Sequence, residues 1–528
     1  MSGSDDRADD AHLNALGYEQ RFERRISLWS NFALGFVYLS PLVSVVALFA
    51  QGLSQAGPPS IFWIVVVGAG QMLVALVFGE VVAQFPIAGG LYQWARRLWS
   101  GRYAWFTSWI YICGITIGIT TTALFSADFV ASLFAGTAEQ PGVDLTPGAR
   151  LGIALAVTAV CLLCNSLGSA VLARVARIGL AAELVGVVLV GLYLLVFERK
   201  QPFSIFVDSM GAGGGSGYLG AFIAASAVGF YMFYGFEACG EVAEEVRDPG
   251  RSIPRAMRMT VWVGGGAALL AFAGYVLAAP DLPAIVAGAD TNPIPAILQA
   301  SVGVVGTKLF LLVGVTSFLA GVMSQQAAAS RLVYSFARDD MFPIAAPLSR
   351  TTSRSRVPLN ALLAVNVLPV LLFVYVYVFP GSLFRIAAFQ MLAGYVAFQM
   401  VVLAALRARA RGWRPAGRFT MGGWGPVVNV AALVFGVTAI VLMALPTDPD
   451  AAFVDRWIAL IGFLVVAGAG LIYQAVAKPH LRSTAPEGDA IAVAAAMRAR
   501  DDEQGSITQH PTVPEVSRGR TRPRAPRS

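Results

Sequence analysis

Four carboxylates, Glu80, Asp128, Glu183 and Glu237, stand inside or at the edges of long apolar stretches. An ionisable side chain is costly in hydrocarbon, so residues of this kind are by default candidates for proton uptake, for pairing with a cation, or for tying down irregular backbone. Glu183, in "RIGLAAELVGVV", offers three readings: proton uptake, pairing with a cationic group of a substrate, or an ion pair with nearby Arg177. Glu237 suits the organisation of a broken helix, or a coupling role like that of Glu183, and Glu80 the end of a helix. Hydroxyls at Thr316, Ser317 and Ser324 could ligate sodium, although such groups in membrane helices more often serve packing. Metal chemistry lacks its ligands. Cys161 and Cys164 share a helical face, but the nearest histidines in sequence, His12 and His480, lie in the tails, and no metal site is expected. All four cysteines lie in or beside apolar runs, so no disulfide is expected either.

The elements around these residues are long and greasy. Of the 528 residues 56% are hydrophobic and only 13% charged, where soluble domains carry about 25% charged residues. Apolar runs of about 20 residues, the length needed to cross the hydrocarbon core, recur about twelve times, from Asn31–Leu53 through Tyr218–Phe236 to Trp457–Ala477. The expected organisation is an N-terminal tail over 1–28, a membrane domain over 29–477, and a disordered basic tail over 478–528. The first 28 residues are polar and mixed in charge, without the apolar core of a signal peptide. Arginines follow the second, fourth, sixth, eighth and tenth runs, and the intervening loops carry few basic residues. The positive-inside rule then places both termini and the arginine loops in the cytoplasm. This asymmetry and the arginines between Arg518 and Arg527 account for the net charge of +7 without a nucleic-acid partner. Lysine occurs only at Lys200, Lys308 and Lys478; with abundant Ala and Gly, this suggests a high-GC bacterial genome and a bacterial inner (cytoplasmic) membrane.

Three blocks narrow the class. In "FGEVVAQFPIAGGLYQWARRLW", Glu80 precedes a helix-stopping Pro86, and Gly89 and Gly90 permit a tight path into an amphipathic segment. In "GFEACGEVAEEVRDPGRSIPRA", charges crowd against the end of the sixth run, with a turn at Asp248 and Pro249. In "AAASRLVYSFARDDMFP", Arg331 and Arg338 share a helical face ahead of an Asp pair and Pro343. In this order and spacing, over Asn31 to about Ala477, the blocks resemble the amino acid, polyamine and organocation superfamily of secondary transporters, most closely its bacterial amino acid permease branch.

The resemblance implies an all-α polytopic fold of the leucine-transporter type, in which two five-span inverted repeats each begin with a helix broken at mid-membrane. Half-helix N-termini would there present free N–H groups to an anionic ligand group. The corresponding positions are "YLSPLVSVV" in the first span and "FYMFYGFE" in the sixth. The implied substrate contacts are Ser40, Pro41, Leu42, Val43 and Ser44 with Phe233, Gly235 and Phe236, and Tyr231 falls where the family has an aromatic gate. The family's first break usually contains glycine; Val43 and Ser44 stand where it would be expected, leaving the hydroxyls of Ser40 and Ser44 as donors. In proton-coupled relatives a lysine near the place of Glu183 substitutes for a sodium ion.

The expectation is therefore a carrier of amino acids, working by proton symport, with choline, amine or polyamine transport as the alternative. Glu183 and Glu237 are the coupling candidates, and Ser324 the sodium candidate. The partners are a small substrate, a proton or sodium ion and the bilayer, for a monomer or homodimer without cofactor. No intramembrane His, DxD or HExxH speaks for an enzyme, and no carboxylate ring or carbonyl filter sequence for a channel.

Overall fold

Eleven helices among the described residues of the computed structural model are long and apolar enough to cross a membrane, and a shorter apolar helix completes a set of twelve spans. The structure describes residues 2–138, 140–143, 145–213, 217–445 and 453–508. In chain order the spans are Leu28–Ala56, Pro58–Gln84, Gly101–Ala135, Pro147–Ser166, Ser169–Phe197, Tyr218–Met232, Pro249–Ala278, Ile294–Arg338, Leu359–Val378, Pro380–Ala410, Gly422–Ala444 and Ile458–Ala477. Lipid cannot satisfy backbone polar groups, so helices that bond internally are the solution open to apolar runs of this length. The sixth span is short because its helix stops at mid-course.

The first span is central, with 89% of its most apolar stretch buried, whereas the eleventh and twelfth bury 22% and 17% and form the rim. Small residues let the central helices touch. A Cβ on Gly321 of the eighth span would lie 2.9 Å from the Val37 carbonyl oxygen of the first. Such close approach drives association where no hydrophobic force separates helix from lipid.

Both polar tails fold back on one end of the bundle. The N-terminal segment carries a helix, Ser2–Ala15, and buries Leu13, Leu16, Tyr18 and Phe22. Ile26 then pairs with Val246 in an isolated parallel bridge, its N–H donating to the Glu245 carbonyl at 3.0 Å. The segment after Lys478 corrects the expectation of disorder over its first part: it runs through Pro479–Leu481 into the helix Ala490–Thr508 and buries Ala490 and Ala494. The reason lies in the amphipathic helix Gly90–Leu98, whose Arg96 and Arg97 are buried and need partners. Arg97 reaches Asp489 at 2.5 Å, and Arg96 donates to the carbonyl oxygens of Ala485 and Pro486. The arginines from Arg518 to Arg527 lie outside the described residues.

Candidate functional site

The first span breaks at Ser40. Its first half-helix ends at Leu39 and its second begins at Pro41, whose missing N–H costs nothing at a helix start. Ser40 itself takes the strained conformation, with φ 40° and ψ 90°, which for a non-glycine residue costs about 1–3 kcal/mol and persists only where surroundings hold it. The break thus falls earlier than the glycine argument placed it, and Val43 and Ser44 sit in the first turn of the second half-helix.

Glu183 supplies the hold. Its Oε1 accepts the Ser40 hydroxyl at 2.8 Å and the Leu42 N–H at 2.9 Å, while Ser40 Oγ accepts the Val43 N–H at 3.2 Å. A carboxylate at a half-helix N-terminus is favoured by the free N–H groups and the helix dipole there. Arg177 plays no part, since its Nε donates to the Ala173 carbonyl. Glu183 is buried, its Oε2 has no hydrogen-bond partner among the described residues, and the fifth span passes into a π-helical stretch, Val185–Leu189, directly after it. Ser317 of the eighth span lies beside this carboxylate without a hydrogen bond of normal geometry. The donors assigned to substrate are already engaged: Ser40 by Glu183, and Ser44, whose hydroxyl donates to the Leu39 carbonyl at 2.8 Å.

The sixth span breaks after Met232, and Gly235 takes φ 125°. A second carboxylate holds this break. Glu237 Oε2 accepts the Gly235 N–H at 2.9 Å and Oε1 accepts the Tyr111 hydroxyl of the third span at 2.8 Å. Each break is therefore fixed by one buried carboxylate taking one hydroxyl and one N–H.

Between the breaks lies a cavity lined by Ser40, Val43 and Ser44 with Tyr231 and Tyr234, and closed by Thr122, Gln325 and Gln390. It has room for about one water, so a substrate must widen it. Glu183 and Glu237 stand behind the lining. Gln325 Nε2 donates to Thr122 Oγ1 at 2.9 Å, and Thr121 donates to Gln390 Oε1 at 2.7 Å. Among the described residues the Gln325 carbonyl has no hydrogen-bond partner, and the Tyr38 and Tyr234 phenols lie beside one another without a hydrogen bond of normal geometry.

The predicted contacts divide. Ser40, Val43, Ser44 and Tyr231 come together at the cavity, Leu42 contributes its N–H to Glu183, Pro41 starts the half-helix, and Gly235 backs against Tyr38 and Leu39. Phe233 and Phe236 do not face it. Phe233 packs towards Gly68 and Gly265, and Phe236 against Phe78 and Phe398. Both lie on the far side of the unwound turn, where adjacent residues point apart. Ser324 donates to the Leu34 carbonyl at 2.8 Å, Thr316 bonds within its own helix, and Asp128 pairs with Arg150 at 2.7 Å. Sequence reasoning passed over Thr122, Gln325 and Gln390; amides inside apolar runs were the available signal, since polar side chains in a bundle must find partners.

The three sequence blocks meet at the end of the bundle that holds the tails. Arg331 pairs with Glu245 (2.7 Å) and Arg338 with Glu244 (2.9 Å), Arg331 and both carboxylates being buried and Arg338 partly buried. Arg409 pairs with Glu80, whose Oε1 also accepts the Met421 N–H at 2.5 Å. Asp339 accepts from Tyr18 and Tyr92, each at 2.9 Å, and from Gln93. Burial and the charge of Asp339 push the Tyr18 phenol well above its ordinary range, which keeps it a neutral donor. The charges crowded after the sixth span thus close this face.

Two interrupted helices meeting at a small polar cavity inside a bundle of apolar spans define a membrane carrier of the broken-helix type. The chain belongs to the amino acid permease family, whose sequence profile matches residues 26–468, and is a transporter rather than an enzyme. It is 25% identical to the amino-acid permease BAT1 of Arabidopsis thaliana, over 82% of this chain and 88% of that one. To the BAT1 homolog of Oryza sativa subsp. japonica it is 27% identical over 83% and 88%. The GABA-specific permease of Saccharomyces cerevisiae is 23% identical over 90% of this chain and 86% of its own.

Proposed function

We propose that the protein moves zwitterionic amino acids across the cytoplasmic membrane by proton symport. The cavity carries this reading: its lining is hydroxyls, amides, aromatic rings and a few aliphatic side chains, without a charged one, a setting for a small molecule whose two charges are met by backbone. The dipole of the second half-helix of the first span favours a carboxylate nearby, although its Leu42 and Val43 N–H groups are held by Glu183 and Ser40, and the carbonyls ending at Leu39 and Met232 suit an ammonium group. A polyamine would bring several positive charges and find no carboxylate in the lining. The relatives named as amino-acid and GABA permeases support the same substrate class. The test is uptake of labelled amino acids into proteoliposomes under imposed gradients; accumulation driven by an inward proton gradient and unaffected by polyamines is the expected result, and sodium-driven accumulation would transfer coupling to the eighth span.

Glu183 is assigned the proton. An ionised carboxyl without a cation in a low-dielectric interior is costly, and a proton arriving with substrate removes that charge. In Glu183→Gln the amide oxygen still accepts from Ser40 and Leu42, so the break survives while the titrating group is gone. Exchange of labelled for unlabelled substrate should persist and gradient-driven accumulation disappear. Loss of exchange as well would make Glu183 a partner of the substrate ammonium, and wild-type values for both would leave it structural.

The arginine-rich face is assigned to the cytoplasm, with both termini. A cysteine introduced at Arg251, which is exposed, should resist membrane-impermeant reagents in intact cells and react after permeabilisation.

A further inference from the structure

Glu241 is a fully buried carboxylate that neither the cavity nor the ion pairs employ. It lies four residues beyond Glu237 across the short helix Ala238–Glu241, a spacing that sets two side chains on one face. Its Oε1 accepts the Leu91 N–H of the amphipathic helix at 3.3 Å, and its Oε2 has no hydrogen-bond partner among the described residues. Glu237 faces it from its own span, and the phenols of Tyr38, Tyr111 and Tyr234 lie within electrostatic reach from the first, third and sixth spans. Gly90 closes the remaining side: a Cβ there would stand 3.0 Å from Oε1. No ion pair joins Glu241 to a cation among the described residues, although Glu244 and Glu245, one turn on, are each held by an arginine.

These groups form a series. Tyr38 and Tyr234 line the cavity, their rings meet edge-on at 5.6 Å, and their hydroxyls lie beside one another without a hydrogen bond of normal geometry among the described residues. Glu237 follows, bonded to Tyr111. Glu241 comes next, and beyond it the Glu244–Arg338 pair at the arginine face. A buried acceptor left vacant costs free energy and calls for an explanation; packing alone would be served as well by an amide or an apolar residue.

We propose that Glu241 is a proton relay between Glu237 and the arginine face, a role that rests on the proton-symport reading above. The proton released by Glu183 into the cavity is taken up by the Glu237 carboxylate, passes to the Glu241 carboxylate, and leaves Glu241 for water admitted when the Glu244–Arg338 and Glu245–Arg331 pairs part. Glu237 is ionised again at the end and the cavity can be recharged from the other side. The vacant Oε2 is the atom that carries the proton between these two events.

The test uses the full chain in proteoliposomes with a pH-sensitive dye inside. In Glu241→Gln, substrate-driven proton influx should fall by about tenfold or more, the scale on which positioned acid–base groups act, while labelled-substrate exchange stays near wild type. Glu241→Asp keeps a carboxyl at the same place and should retain part of the flux with exchange intact; it also serves where the Gln variant fails to fold. Proton influx at the wild-type level in Glu241→Gln would overturn the relay alone. So would loss of exchange together with flux in both variants, since that marks a structural role. A wild-type carrier that accumulates substrate without moving protons would overturn the symport reading and the relay with it.

Discussion

Replacing Gly235 with leucine should abolish both substrate binding and transport while the protein still reaches the membrane. Gly235 holds φ 125°, a region that L side chains rarely adopt, and a Cβ there would stand 2.8 Å from the Leu39 nitrogen and 2.8 Å from the Tyr38 ring. Both neighbours belong to the break in the first span, so a side chain at this point would drive the two breaks apart and displace the walls of the cavity. Strain of about 1–3 kcal/mol would add to the clash. Alanine should already be severe, because the first added atom meets backbone. The measurement is ligand-induced thermal stabilisation alongside uptake; wild-type behaviour in both would remove the substrate from between the breaks.

Arg331→Met should cause the largest loss of stability expected of any single ion-pair substitution among the described residues. Arg331 and Glu245 form a two-pronged contact, 2.7 Å at Nε and 3.3 Å at Nη2, with each side chain 1% exposed. Removing one partner strands the other charge in the interior, at a cost of about 3–5 kcal/mol. Pairing Arg331→Met with Glu245→Gln should restore much of this, giving a coupling of about 2–3 kcal/mol in a double-mutant cycle. Thermal unfolding of the purified variants provides the reading. Independent, additive losses would mean that the pair is not what closes this face.

The cost of stranded charge also explains how legible these motifs were. The blocks after the second, sixth and eighth spans were visible as motifs, and their charges had to be satisfied somewhere near the membrane surface. Sequence could not say that Glu245 takes Arg331, or that Glu80 takes Arg409 across 329 residues of chain. The tails show the same limit: Pro, Ser and Thr content after Lys478 signalled disorder, whereas the buried Arg96 and Arg97 recruit that segment to supply oxygens. Ser40, Ser44 and Tyr231 line the cavity; the first two stood out in the sequence beside Pro41, and Tyr231 only through the family resemblance. Phe233 and Phe236 pack away from the cavity, and an unwound turn has no helical period from which that direction could be read.

The sequence by itself determined that the chain spans a membrane, roughly how many times, near which residues its first and sixth helices are interrupted, and the family it resembles. These follow from local properties: apolar length against bilayer thickness, proline and glycine backbone chemistry, and the order of short motifs. Only the tertiary structure decided that Glu183 reaches 143 residues back to fix Ser40, that Glu237 holds the sixth break while Glu241 is left with a vacant oxygen, and that amides from the eighth and tenth spans complete the cavity. The physical reason is that the core and rim spans are all apolar enough to cross a bilayer, yet the first is 89% buried and the twelfth 17%. Hydrophobicity selects the membrane, while the partner of each buried polar group is set by which helices touch.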